Sequence, residues 1–170
     1  MNSITSCLTA QRWPILAAIA SALILGGAYF FQYVLGYEPC ALCYDQRHIH
    51  KAVILAGLAG GLGMMFVPAL QKYAMWICIL LAAILAYSAY FAGWHAGIEY
   101  DWWEGPASCT TTGSVDFSTV DLMAVLDGTA PVVLCDEAAW TLLGISMAGY
   151  NAIMSFGLAI ASAYIGIKRR

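Results

Sequence analysis

Two cysteines separated by two residues, Cys40 and Cys43, lie in the stretch EPCALCYDQR at residues 38–47. Structural disulfides, zinc sites and dithiols that cycle between thiol and disulfide all use this spacing. Pro39 suits the first turn of a helix, which would place Cys40 near a helix N-terminus, where a thiolate is stabilised. In a helix that has begun by Cys43, Arg47 lies one turn further on the same face and favours a thiolate as well. The local sequence therefore favours the cycling dithiol.

Two further cysteines, Cys109 and Cys135, lie in the most polar part of the chain, with residues 110–134 between them. A disulfide between them is feasible, because the entropy of closing a loop grows only logarithmically with its length. A zinc site that combines them, or a histidine, with the first pair remains an alternative. The other two cysteines, Cys7 and Cys78, are expected to be bystanders.

The composition shows what kind of scaffold must position these cysteines. Of the 170 residues, 62% are hydrophobic and only 10% are charged, whereas about a quarter of the residues in a soluble domain are charged. Four apolar runs are each long enough to cross ~30 Å of hydrocarbon as a helix: residues 14–35, 49–67, 73–92 and 141–167. The runs lack the period-two alternation of barrel strands, so we predict an all-α membrane protein, a single integral domain built as a four-transmembrane-helix bundle. The first run is too long for the apolar core of a signal peptide and is expected to be retained.

Charge predicts the orientation of this bundle. Basic residues occur at Arg12, at Lys72 and at 168–170, which places both termini and the turn after the second helix in the cytoplasm. All ten acidic residues fall in the opposite loops, at about 36–48 and 93–140. The two cysteine pairs are then on the outer side, where disulfides persist.

The long outer loop contains one further predicted element. Ser118 followed by Asp121 resembles a capping box, and residues 118–128 are predicted to form a short helix lying on the membrane surface. An ordinary solvated loop helix is the alternative.

A cycling disulfide needs an acceptor for two electrons. The sequence contains no glycine-rich nucleotide loop, haem motif or iron–sulfur spacing, so we expect a lipid-soluble quinone, either ubiquinone or menaquinone. Arg47 could donate to one carbonyl, and His95, at the outer end of the third run, could approach from the facing helix. The alternatives are a snorkelling headgroup anchor for Arg47 and a wet interfacial residue for His95.

The motif PCALC followed by Arg47, together with HAGIEYDWWEGPASC at residues 95–109, resembles the signature of the bacterial disulfide bond formation protein B (DsbB) family. The resemblance covers the whole chain, with four helices, a Cys-x-x-Cys motif before the second and two cysteines in a long outer loop. It implies a quinone-dependent protein-disulfide oxidoreductase of the bacterial inner membrane, without a metal. Its partner would be a periplasmic DsbA-type protein of the thioredoxin fold.

The same resemblance implies a role for each cysteine. Cys109 would form the mixed disulfide with reduced DsbA, and Cys135 would be its partner in the loop disulfide. Electrons would then pass to Cys40 and Cys43, with Cys43 facing the quinone. The two residues that would place the quinone ring are Arg47 and His95.

Three rival hypotheses remain at this stage. The nearest is a DsbI-like oxidase dedicated to a different partner. A vitamin K epoxide reductase-like protein is less favoured, since that family places its Cys-x-x-Cys motif late in the helical order. The third is a non-enzymatic membrane scaffold held by two inert disulfides or one zinc. No nucleic-acid partner is expected.

Overall fold

The structure, a computed structural model, describes residues 9–107, 109–110 and 133–168. Four long helices are connected by a short 3₁₀ helix and a small hairpin: α1 Trp13–Tyr33, α2 Ala41–Phe66, the 3₁₀ helix Pro68–Tyr73, α3 Ala74–Glu99, β1 Thr141–Leu142, β2 Ile145–Ser146 and α4 Met147–Lys168. Each long helix is apolar and long enough to cross a membrane. The predicted four-helix membrane fold is therefore confirmed. The predicted surface helix at 118–128 and Cys7 lie outside the described residues.

Helix α2 begins eight residues earlier than the predicted run at 49–67. Hydropathy excluded its first two turns, because they carry the polar sequence YDQRH. Gln46 and Arg47 of this sequence are buried, and so is His50 in the next turn. Hydropathy cannot identify such a helix end, because its polar side chains are buried by hydrogen bonding to neighbouring helices.

Helix α3 also extends beyond its prediction, to Glu99 rather than 92. The additional turns contain His95, which lies one turn before the outer end of the helix and is fully buried. The side chain of His95 therefore faces the interior of the bundle.

Helix α4 starts at Met147, later than the predicted 141, because the preceding residues form a hairpin. Thr141 pairs with Ser146 and Leu142 pairs with Ile145 in an antiparallel register. The two turn residues, Leu143 and Gly144, have φ angles of 52° and 77°, and positive φ at both positions is typical of a tight hairpin turn. The tip of the hairpin is tied to the end of α3, since the Tyr100 hydroxyl donates to the Gly144 carbonyl oxygen at 3.0 Å and accepts from the Ser146 N–H at 2.7 Å.

Small residues allow α1 to approach α2 closely. A Cβ on Gly57 would lie 2.5 Å from the carbonyl oxygen of Pro14. Gly61, one turn further along α2, is packed in the same way against Ile15. The glycine pair therefore forms a helix contact within the chain, as small residues do between membrane helices.

Two separate clusters of buried residues form the core. One includes Met64, Leu81 and Cys78 and lies between the long helices. The other contains Cys40, Leu42, Ile98, Cys109 and Cys135. Four of the chain's cysteines thus belong to or contact the second cluster, and Cys78 is apart from them.

Candidate active site

The first turn of α2 sets the geometry of the Cys-x-x-Cys pair. Cys40 is the N-cap residue, in an extended conformation, and its Sγ accepts the N–H of Cys43 at 3.3 Å. Both residues are free thiols, with their Sγ atoms 2.8 Å apart. Cys40 is buried and Cys43 is partly buried. The helix start therefore holds the two sulfurs next to each other.

The two thiols are not equivalent. Cys40 donates a hydrogen bond to the Sγ of Cys43, and this bond, together with burial, raises the pKa of Cys40. The sequence predicted a thiolate at Cys40 because of the helix N-terminus. The structure argues against that prediction, because the hydrogen bond to Cys43 and the burial of Cys40 both disfavour a thiolate at Cys40.

The pair could be compared with a metal site, because Cys40, Cys43 and His95 place their ligand atoms within 4.8 Å of one another. Two sulfurs bound to a tetrahedral zinc at ~2.3 Å each would lie about 3.8 Å apart. The observed Sγ–Sγ separation of 2.8 Å is clearly shorter. The geometry therefore fits closure of a disulfide better than binding of zinc.

Cys109 and Cys135 form a disulfide, with their Cα atoms 5.3 Å apart. Both are buried, Cys109 at 8% exposure and Cys135 at 0%. They pack in the same cluster as Cys40. The pairing implied by the family resemblance is therefore present, and it lies beside the Cys-x-x-Cys pair.

A chain of buried hydrogen bonds leads from the Cys-x-x-Cys pair into the bundle. His95 Nε2 lies 3.5 Å from Cys40 Sγ, and His95 Nδ1 lies 2.6 Å from Gln46 Nε2. Asn151 Nδ2 donates to Gln46 Oε1 at 2.6 Å, and Asn151 Oδ1 is 2.8 Å from His50 Nε2. This series, from Cys40 to His50, is called the polar chain below. It connects α2, α3 and α4.

Arg47 is also buried, with 6% of its surface exposed. Its guanidinium donates to Gln32 Oε1 at 2.5 Å and to the Ala28 carbonyl oxygen at 3.3 Å, both on α1. The rings of Tyr29 and Tyr44 lie 5.0 Å and 5.3 Å from its central carbon. A snorkelling anchor would instead reach towards water, so Arg47 is an internal residue. These two bonds use only part of the five N–H groups of a guanidinium.

A cavity of about 510 Å³ opens beside the pair, a size typical of small-molecule sites. Cys43, Arg47 and His50 line it from α2. Its other walls are mainly apolar and include Leu23 and Phe31 of α1 and Met154 of α4. An apolar chamber with a few polar groups along one wall suits a flat, lipid-soluble ring that carries hydrogen-bonding oxygens.

His95 does not line this cavity. Its side chain contacts Cys40 and Gln46, on the thiol side of the site. Glu99, one turn later, places Oε1 at 3.9 Å from His95 Nε2 and is itself buried. The contact of His95 with a quinone ring stays a prediction, whereas its contact with the thiol pair is part of this geometry.

Four residues of the site were missed by the sequence analysis: Gln46, His50, Glu99 and Asn151. Gln46 and Glu99 lay outside the predicted helices, in the polar ends of α2 and α3, and His50 is the second residue of the predicted run 49–67. Asn151 lies inside the fourth run, and a polar side chain within a membrane segment is by itself a signal of function. That signal could have identified Asn151, but not its partners.

Fold and site together define a class of protein. A membrane helical bundle carries a buried dithiol next to a loop disulfide, and this arrangement is that of a membrane thiol–disulfide oxidoreductase. The family profile described as "Disulfide bond formation protein DsbB" matches residues 10–165, and the chain belongs to this family.

Similarity to individual proteins agrees with this assignment. The chain is 30% identical to disulfide bond formation protein B of Hahella chejuensis over 169 residues, covering 95% of this chain and 96% of that protein. It is 31% identical to disulfide bond formation protein B 2 of Pseudomonas aeruginosa strain PAO1 over 163 residues, covering 93% and 91%. With disulfide bond formation protein B of Aeromonas hydrophila the identity is 36% over 143 residues, covering 79% and 75%. No solved structure shows a significant match to the chain.

Proposed function

We propose that the protein reoxidises a periplasmic DsbA-type thiol oxidase and passes the electrons to ubiquinone or menaquinone in the bacterial inner membrane. The observation that carries the proposal is the position of Cys43, which adjoins Cys40 on one side and the apolar cavity on the other. The sidedness of the basic residues supports cytoplasmic termini, with both cysteine pairs on the periplasmic side.

The loop disulfide is the proposed entry point for electrons. A thiolate of the reduced partner attacks the Cys109 sulfur, which forms a mixed disulfide and releases the Cys135 sulfur. The second partner thiol then resolves the mixed disulfide, so that the partner leaves oxidised and Cys109 and Cys135 are both reduced. The slight exposure of Cys109 and the complete burial of Cys135 support this order of attack.

The second exchange takes place inside the cluster that the two pairs share. The loop dithiol reduces a disulfide between Cys40 and Cys43, and two electrons and two protons move with the exchange. Packing of Cys40 against Cys109 and Cys135 supports a direct transfer. The position of His95 Nε2, 3.5 Å from Cys40 Sγ, supports a positioning role for that histidine.

The acceptor side is argued from the cavity. A bound quinone would accept two electrons and two protons from the dithiol and leave as a quinol. Arg47 has N–H groups left to donate to a carbonyl oxygen, and its ties to α1 hold it in one orientation. Because DsbA-type proteins are themselves strongly oxidising, at about −120 mV, the quinone must supply the driving force.

The test uses the purified protein in detergent, a reduced DsbA-type partner and a soluble quinone whose absorbance is followed. Cys43→Ser and Cys109→Ser should each abolish quinone reduction. Cys78→Ser is the matched control, because Cys78 lies in the other cluster, and it should keep wild-type activity. An inert wild type, with zinc or unreactive disulfides accounting for the four cysteines, would instead establish the non-enzymatic scaffold.

A further inference from the structure

The two amides of the polar chain are oriented by the bonds at their ends. Asn151 Nδ2 donates to Gln46 Oε1 at 2.6 Å, whereas Asn151 Oδ1 accepts the hydroxyl of Ser155 at 3.2 Å. The oxygen of the Gln46 amide is thus used by Asn151, and its nitrogen lies 2.6 Å from His95 Nδ1. An amide nitrogen can only donate. His95 Nδ1 must therefore accept this bond, and it carries no proton.

This bond fixes the tautomer of His95. A neutral imidazole has one N–H, so with Nδ1 as the acceptor the proton lies on Nε2. His95 Nε2 is 3.5 Å from Cys40 Sγ, within reach of a hydrogen bond to sulfur. It is 3.9 Å from Glu99 Oε1, which is too far for a hydrogen bond to oxygen. His95 therefore donates to Cys40 and offers it no lone pair.

The Cys40 sulfur uses both of its lone pairs as acceptors. One accepts the backbone N–H of Cys43 at 3.3 Å, and the other accepts the N–H of His95. Its own S–H donates to Cys43 Sγ at 2.8 Å. Because Cys40 is only 5% exposed, water has little access to it. Among the described residues, the Cys43 sulfur is thus the group that faces the Cys40 proton, and Cys43 lines the cavity.

We propose that Gln46 and Asn151 are positioning residues that hold His95 as a hydrogen-bond donor to Cys40, so that Cys40 releases its proton on the side of Cys43 and the cavity and not to the histidine. This inference rests on the proposed reduction of a quinone. In that step two S–H bonds break and one S–S bond forms, while two electrons and two protons pass to the quinone, which leaves as a quinol. His95 keeps its single proton throughout. No charge is then left inside the bundle, where an unpaired ion is costly.

The test reads the proton of His95 directly. In the full chain with nitrogen-15-labelled histidine, reduced and in detergent micelles, long-range proton–nitrogen NMR correlations distinguish a protonated ring nitrogen from an unprotonated one. The signals of His95 are assigned by their loss in His95→Gln. Gln46→Glu keeps the shape of the side chain, but carboxylate oxygens only accept, so Nδ1 of the histidine must then carry a proton. Gln11→Glu is the matched control, because it makes the same change at an exposed position beyond the other end of α1.

We expect the proton on Nε2 in the wild type and in Gln11→Glu, and on Nδ1 in Gln46→Glu. A protonated Nδ1 in the wild type overturns the inference without any variant and leaves the proposed function standing. In the quinone assay, Gln46→Glu should be slower by about three- to tenfold, the worth of one hydrogen bond, whereas Gln11→Glu should keep the wild-type rate. A wild-type rate in Gln46→Glu, with the proton on Nδ1, overturns the proton route. If the wild type leaves the quinone untouched, the proposed function fails, and the proton route fails with it.

Discussion

Replacing Asn151 with leucine should destabilise the protein by about 1 to 3 kcal/mol. The Asn151 amide makes three buried hydrogen bonds, two to Gln46 and His50 on α2 and one to Ser155 within α4. Hydrogen bonds between membrane helices contribute about 0.6 kcal/mol each on average and up to ~1.7, so the two bonds to α2 contribute about 1 to 3 kcal/mol. Leucine is similar in size but bonds to none of these groups, and it leaves Gln46 Oε1 and His50 Nε2 buried without partners.

The assay is reversible unfolding in mixed detergent micelles, with the free energy of unfolding obtained from the denaturant midpoint and slope. Ile153→Leu provides the control on the same helix, because Ile153 is exposed on the outer surface of α4 and makes no polar contact of this kind. The control should change the free energy by less than about 0.5 kcal/mol.

The outcome separates a cooperative network from a set of incidental contacts. If Asn151→Leu costs no more than Ile153→Leu, the polar chain contributes nothing to stability, and the reasoning from its distances is refuted. A double mutant in which Gln46 is also replaced by leucine adds a second check. Its loss should be smaller than the sum of the two single losses, because each single change already breaks the shared bond.

Two further predictions concern the thiols and the helix contact. Because the pKa of Cys40 is raised, a maleimide should label Cys43 before Cys40 in the reduced protein at pH 7. Cys40 should be labelled only at alkaline pH, and peptide mass spectrometry measures the labelling of each cysteine. Equal labelling of the two cysteines at pH 7 would contradict the hydrogen bond from Cys40 to Cys43. Gly57→Ala should cost about 1–3 kcal/mol, since its Cβ would press on the Pro14 carbonyl oxygen 2.5 Å away. Gly26→Ala, with nothing within 4 Å, should leave thermal unfolding unaffected, and equal effects of the two changes would argue against the close contact of α1 with α2.

The existence and order of the helices followed from composition, because an apolar run of about 20 residues has few other stable forms. Their outer ends did not follow. Hydropathy averages over all side chains and cannot register that Gln46 and Arg47 point inward, where partners from other helices satisfy them. The same limit applied to His95, which lies one turn before the outer end of α3 and is fully buried.

In the candidate site, relations within one helix could be predicted from the sequence, whereas contacts between distant residues could not. The relation of Cys40, Cys43 and Arg47 is fixed by spacing along one helix and could be predicted. The contact of Gln46 with Asn151 joins residues 105 positions apart. Such a contact depends on how α2 and α4 are rotated against each other, and a single sequence contains no record of that rotation.

The polar chain also limits which substitutions can be tolerated in related sequences. Gln46, His50, His95 and Asn151 each use a partner that another member supplies, so the loss of one leaves a buried group unpaired in the next. Replacement of all four residues together is therefore easier to tolerate than replacement of one of them alone. Among related sequences, these four positions should change together, and an aliphatic residue at position 151 should accompany an aliphatic residue at position 50.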